Sequence, residues 1–270
     1  MLPTIELIKR NNFNWLLMRN SDLITSCIRK GKNLSKDEII ICSAFLHNLK
    51  NPIVIDVGAN IGTFTIEVAK LLMKHHGKIY SFEPQRIIFQ SLCANIFINQ
   101  LDNVYSYNVA LGNKKEKIEI PELDLFQSKN IGGFSIEKNI RENLETIGNQ
   151  NIEKTNQFYK IQKNTLDTYS IDKNIAFIKA DVEGHELEFF QGAINTLKNN
   201  YFPPIIFEAW SGEIFEWHKK KSKTTFKYLE KLGYKFKKIG LNYLAQNPIH
   251  NSTIEFKENN GVTDINLVRK

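Results

Sequence analysis

Two apolar runs far apart in the chain end in the same way. Ile53-Val54-Ile55-Asp56-Val57-Gly58 and Phe177-Ile178-Lys179-Ala180-Asp181-Val182-Glu183-Gly184 each reach acidic residues and then break at glycine. A strand buried on both faces reads as a short continuous apolar run, because helices cover both sides of a parallel sheet. Acidic residues at the carboxyl ends of such strands stand at the crevice where open α/β sheets take ligands. This pattern limits the chain to an α/β fold with a ligand site along one sheet edge.

The neighbouring segments keep that rhythm. The strand Ile53–Val57 precedes a helix over 63–76, and Ile79–Phe82 runs into Glu83-Pro84 and a helix over 86–99. A strand over 104–109 closes on Ala110-Leu111-Gly112. After 174 the alternation resumes with strand 176–180, helix 186–198, strand 205–207 ending at Glu208, a helix holding Phe226 and Leu229, and closing strands 234–239 and 265–268. Strands separated by helix-length segments build βαβ units and a parallel sheet. Residues 1–50 read as a helical extension, in which Ser35 and Glu38 have capping-box spacing for a helix through Leu49. Between about 113 and 174 the rhythm breaks. Short antiparallel strands at 117–120 and 158–162 flank Gly132-Gly133-Phe134-Ser135, an insertion expected to cover the crevice. The expected layout is one domain over 51–270 with an extension before it.

Bulk properties exclude several classes. No apolar stretch approaches the roughly 18–20 residues of a membrane span, and the N-terminal residues lack a signal-peptide pattern, so a cytoplasmic location is the default expectation. Three scattered cysteines, Cys27, Cys42 and Cys93, form neither a disulfide framework nor a zinc motif. The net charge is +7, with lysines crowded between 219 and 238, where interspersed Glu213, Glu216 and Glu230 favour a solvated helix face over a nucleic-acid patch.

The turn Asp56-Val57-Gly58-Ala59-Asn60-Ile61-Gly62 has GxxxG spacing instead of the GxGxxG of a pyrophosphate loop. Gly58, Asn60 and Gly62 bring backbone close to a ligand, while Asp56 suits an ammonium group better than a phosphate. A ligand with an amino-acid end and no phosphate, such as S-adenosylmethionine, matches. Glu83 is placed for two ribose hydroxyls, and Asn108 and Ala110 for the flanks of an adenine. Other roles stay open: Asp56 as a helix cap, Glu83 as a solvated strand-end charge, Asp181 and Glu208 as sheet-edge caps, His185 and His218 as packing residues.

The chain resembles the class I S-adenosylmethionine-dependent methyltransferases, and within them the FkbM family. The residues that carry the resemblance are Asp56–Gly62, Phe82-Glu83-Pro84, Ala110-Leu111-Gly112, Gly132–Ser135, Thr165-Leu166-Asp167, the block Lys179–Glu186 and Ile206-Phe207-Glu208. It implies a Rossmann-like domain with a mostly parallel seven-stranded sheet, helices on both faces and an antiparallel strand near the C-terminal end. It also implies methyl transfer to a hydroxyl of a small molecule or sugar. Asp181 is then the expected group for orienting or deprotonating the acceptor, with His185 second and Glu208 on the neighbouring strand. Asp181 and Glu208 could share a hard cation, but two carboxylates are few for a cage, so no metal is assigned. The alternatives are a nucleic-acid methyltransferase and a non-catalytic cofactor-binding module. An Asp/Asn-Pro-Pro-aromatic block is missing where base methylation would place it, since Tyr201-Phe202-Pro203-Pro204 has the wrong order and position. The lid over 127–135, with parts of 136–160 and 210–217, is expected to set specificity.

Overall fold

Residues 5–18 form a hairpin, not the helix expected there. The computed structural model describes residues 2–20, 22–146, 154–210, 216–259 and 262–269. Within it β1 (Ile5–Arg10) and β2 (Phe13–Met18) pair antiparallel through Asn11 and Asn12. Both asparagines have positive φ, the requirement of a two-residue turn whose twist suits a hairpin. Trp15 and Leu17 are buried while Ile5 and Leu7 stay exposed. The rest of the extension is helical, as α1 (Leu23–Arg29) and α2 (Lys36–Leu46). The expected capping box does not form. Ser35 makes no side-chain cap, its hydroxyl meeting that of Thr63 at 3.1 Å, and Glu38 accepts a hydrogen bond from Asn242 at 2.6 Å.

The core is a seven-stranded sheet built from β3 (Ile53–Val57), β4 (Lys78–Phe82), β5 (Val104–Tyr107), β9 (Ile175–Ala180), β10 (Ile205–Glu208), β11 (Lys235–Ile239) and β12 (Asn242–Gln246). Its order is β11-β12-β10-β9-β3-β4-β5. Only β12 runs against its neighbours β10 and β11; the other adjacent pairs are parallel. This is the mostly parallel sheet that the resemblance implies. The antiparallel strand is Asn242–Gln246, however, and the expected closing strand at 265–268 lies elsewhere. It belongs to β14 (Val262–Arg269), which pairs with β13 (Ser252–Asn259) in a separate hairpin packed near α2.

Side chains alternate across the sheet as strand geometry requires. Val54 and Phe177 face a core shared with α2, α3 (Thr65–Met73) and α4 (Arg86–Ile98). Ile53, Ile55, Val57 and Ile178 face the other core, with α6 (Glu186–Gly192), α7 (Ile194–Asn199) and α8 (Glu216–Lys231). The helix expected over 186–198 is broken at Ala193. A Cβ on Gly192 would stand 1.9 Å from the carbonyl of Gly112, so glycine lets the turn pass that close. On α8, Lys219, Lys220, Lys223 and Lys227 are exposed while His218, Ser222, Thr225 and Leu229 are buried, the arrangement of an amphipathic surface helix.

The insertion adds β6 (Ala110–Leu111), β7 (Glu116–Leu123) and β8 (Lys154–Asn164) as a sheet of order β6-β8-β7. Lys117 pairs with Gln162 and Ile118 with Ile161. A 3-10 turn at Ile131–Gly133 and α5 (Lys138–Thr146) follow β7. The hairpin β1–β2 is tied to the core by asparagines of α4. Asn95 accepts from Leu16 N–H at 2.8 Å and donates to the Ile61 carbonyl at 3.0 Å, while Asn99 exchanges two bonds with the Asn14 backbone. The three cysteines are free. Among the described residues no helix is long and apolar enough to cross a membrane.

Candidate active site

The carboxyl ends of β3, β4, β9 and β10 open into one cavity of about 370 Å³. Its floor is the turn after β3. Gly58 has φ +79°, its N–H and that of Ala59 bond the Phe82 carbonyl, and a Cβ there would lie 1.8 Å from the carbonyl of Asp181. Only glycine fits that crossing. Asn60, also in the left-handed region, lines the cavity and donates its N–H to Glu83 Oε2 at 2.9 Å. Gly62 does not line the cavity. It packs against α4, where a Cβ would be 2.9 Å from Leu92 Cδ1.

Glu83 lies at the end of β4 and is 4% exposed. Its Oε1 accepts from Gln85 N–H at 2.8 Å. Burial pushes its carboxyl up to about 7, against the pull of the Gln85 and Asn60 amides. Ala110 lines the cavity wall, whereas Asn108 is exposed and turned away, its amide donating to the carbonyls of Glu83 and Pro84. Asn108 therefore braces the β4 loop from outside.

Asp56 is not among the residues that line the cavity. It has no exposure and faces α3 from the same side of β3 as Val54. There it accepts from Thr65 Oγ1 at 2.6 Å and from Lys179 Nζ at 3.4 Å. Lys179 itself lines the cavity, 3.5 Å from Asp181 Oδ2. Burial alone would lower its pKa, but Asp56, Asp181 and Glu38 outweigh that and hold the ammonium well above its ordinary value. The signal for Lys179 was available: a lone charge inside a buried apolar strand requires a partner.

Asp181 and Glu208 both reach the cavity, and Glu183 joins them, with one carboxylate oxygen of each within 4.8 Å of the others. His185 does not reach it. The ring is buried behind the block, with Nδ1 2.5 Å from Glu137 Oε1, in a network where Lys221 bonds both Glu137 and Glu188. This placement joins the insertion to the core through Glu137 and leaves the ring outside the cavity lining. Glu137 would be raised by burial, but hydrogen bonds from His185 and Lys221 hold it down at about 2. His218 Nδ1 lies 3.0 Å from Ser222 Oγ, and its ring packs 4.9 Å from Trp210. Two acidic clusters, Asp181–Glu183–Glu208 and Glu137–His185–Glu188, bring potential ligand atoms together, yet each already holds a lysine ammonium.

The roof comes from Gly132, Gly133, Phe134 and Ile136 of the insertion, and one wall from Ser35 and Glu38 of α2. Residues 147–153 and 211–215 of the expected lid lie outside the described residues.

Comparison with known proteins gives the family. Residues 56–236 match the Methyltransferase FkbM domain. No curated protein is significantly similar in sequence. Among solved structures, the methyltransferase FkbM of Methylobacillus flagellatus KT has 15% identity and a TM-score of 0.44, with 83% of this chain and 61% of that chain covered. A putative rRNA-methylase of Clostridium thermocellum aligns at 12% identity and 0.47, covering 79% and 94% of the two chains. A SAM-dependent O-methyltransferase of Thermotoga maritima aligns at 10% and 0.42, covering 96% and 71%. These are distant likenesses of fold; the match over 56–236 spans more than half of the chain, including the glycine turn, Glu83 and the Asp181–Glu208 edge. The chain belongs to the FkbM family of S-adenosylmethionine-dependent methyltransferases.

Proposed function

We propose that the protein transfers the methyl group of S-adenosylmethionine to a hydroxyl oxygen of a small molecule or sugar, with residues 51–270 as the catalytic domain and 1–50 as an extension. The observation that carries this is the group of carboxylates Asp181, Glu183 and Glu208 on one wall of the cavity. An alcohol must lose its proton as it is methylated, and a carboxylate whose ionised form is disfavoured makes a competent base. An amine acceptor of the nucleic-acid type would need the proline-aromatic block that the chain lacks.

The residues suit the cofactor. The wall of carboxylates complements a sulfonium cation, and the buried Oε2 of Glu208 has no hydrogen-bond partner of its own. When bound, the cofactor supplies the electrophilic methyl. Glu83 keeps lone pairs free for the ribose hydroxyls, while Asn60 and Gly58 hold the turn beneath it. Lys179 fixes Asp181 in place, and Asp56 fixes Lys179. Phe134 and Ile136 roof the cavity and keep water from the reacting atoms. Ser35 and Glu38 bring the N-terminal extension into the same wall.

Titration calorimetry with S-adenosylmethionine and, separately, NADH tests the cofactor, which should bind alone. Incubation of the protein with methyl-labelled cofactor and panels of hydroxyl and amine compounds tests the acceptor. Label that moves only to amines refutes the reading.

A further inference from the structure

Glu183 has a cost that its surroundings do not explain as packing. It is a non-glycine residue at φ +52°, directly before Gly184 at +89°, and such backbone is retained where the surrounding structure demands it. The result is that its carboxylate enters the cavity beside Asp181 and Glu208. Among the described residues one ammonium serves this wall, that of Lys179, and it is committed to Asp181 at 3.5 Å and Asp56 at 3.4 Å. Glu183 and Glu208 share the rest of the wall, and among the described residues Glu208 Oε2 is buried with no hydrogen-bond partner. Two half-buried carboxylates with oxygens within 4.8 Å of each other, one of them buried and unpartnered, resist double ionisation and titrate as a pair that retains one proton.

We propose that Glu183 and Glu208 form a proton-sharing pair that releases its proton when the sulfonium of S-adenosylmethionine enters the cavity and takes one from the acceptor hydroxyl as the methyl is transferred. This rests on the hydroxyl reading of the proposed function for its second half only. The acceptor's O–H bond breaks as its O–CH₃ bond forms and the donor's S–CH₃ bond breaks. The hydroxyl proton passes to a glutamate oxygen, and the electron pair of the broken S–CH₃ bond stays on sulfur. One positive charge vanishes as one proton arrives, so the net charge of the cavity is the same before and after.

The groups facing the pair are consistent with it. Asp181 and Lys179 face it from β9, Glu186 from the start of α6, Trp210 hydrogen-bonds Glu208, His218 of α8 lies beside Gly184, and Glu38 of α2 stands across the cavity near Lys179. Burial, then repulsion from Glu208, Asp181 and Glu186, pushes Glu183 well above the carboxylate range. Burial, then Asp181 and Glu186, does the same for Glu208.

The test is calorimetry of S-adenosylmethionine and S-adenosylhomocysteine in buffers of different ionisation enthalpy, which counts protons exchanged on binding. At neutral pH the sulfonium ligand should release close to one more proton than the neutral thioether. The ratio of their affinities should rise by up to about tenfold per pH unit until the pair is fully ionised. This comparison needs only the unmodified protein. In Glu183→Gln and Glu208→Gln the difference in protons should vanish while both ligands still bind, whereas Glu137→Gln should keep it. Equal proton release by the two ligands, or an undiminished difference in both glutamine variants, overturns the proposal. So does an unmodified protein that binds neither ligand, which would remove the cofactor reading as well. A proton difference in a protein that methylates only amines would refute the hydroxyl reading and leave the exchange of proton for sulfonium standing.

Discussion

Replacing Lys179 by methionine keeps the length of the side chain and removes its charge. Among the described residues, Asp56, fully buried, then keeps only Thr65 as a partner for its carboxylate. Breaking a buried ion pair by removing one member costs about 3–5 kcal/mol, because the remaining charge is stranded. The pair here is long at 3.4 Å, with side-chain exposures of 8% and 0%, which places the loss at the low end, about 3 kcal/mol. At about 2–4 °C per kcal/mol for a chain of this size, the melting temperature should fall by roughly 6–12 °C. Lys179 is held above its ordinary value, so its contribution is complete below the unfolded lysine value of about 10.4 and is lost only above it. The gap between variant and parent should therefore be flat between about pH 7 and 9. The decisive comparison is the double variant Lys179→Met, Asp56→Asn in a thermal or urea melt. Removing the stranded charge should return most of the loss. A double variant no more stable than Lys179→Met alone would refute the argument from buried charge.

Gly58→Ala combines a left-handed backbone with a Cβ 1.8 Å from the Asp181 carbonyl, so it should abolish cofactor binding in calorimetry; Gly31→Ala, with φ +70° but open space around it, should bind normally and lose only about 1 kcal/mol. Glu83→Gln should weaken cofactor affinity by about 10–100-fold, the worth of a lost charge-assisted hydrogen bond. Because Glu83 is raised to about 7, it contributes stability at low pH that is lost as pH rises from about 4.3 through about 7, and melts across that window should be flatter in the variant. Glu137 is held at about 2, so its contribution is present above about 4.3 and lost as pH falls toward 2. Glu137→Gln should cost about 1 kcal/mol at neutral pH, discounted for a partly exposed side chain, and its acid unfolding should be less steep than the parent's.

The parallel strands were legible because burial on both faces leaves them apolar except for one charge each, Asp56 in Ile53–Val57 and Lys179 in Ile175–Ala180. The glycine turn and the acidic strand ends followed from that frame. The surroundings of Asp56 follow from parity more than from its position at a strand tip: two residues after Val54, it faces the helix layer with Val54. The surroundings of His185 were hidden for another reason. Its partner Glu137 comes from just before α5 and is shared with Lys221 of α8, and no local pattern announces a contact across 48 residues. The hairpin β1–β2 hid its alternation because its outer face carries Ile5 and Leu7 among charges. Asn11-Asn12 was the one local sign of it. The antiparallel strand β12 is short and edged by asparagine and glutamine, and its place is fixed by pairing with β10 and β11 instead of by its own composition.

Asn95 ties the outer hairpin to the glycine turn through one side-chain amide, and the bond to Leu16 spans 79 residues. During synthesis at about 5–20 residues per second, Leu16 leaves the ribosome roughly 4–16 s before its partner exists. Through that interval Trp15 and Leu17 have no surface to dock on, since the face they bury against is supplied by α4 and its neighbours. The hairpin is thus made early and seated late. A segment whose apolar face stays uncovered in the nascent chain is the one that, once seated, steadies the glycine turn through Asn95.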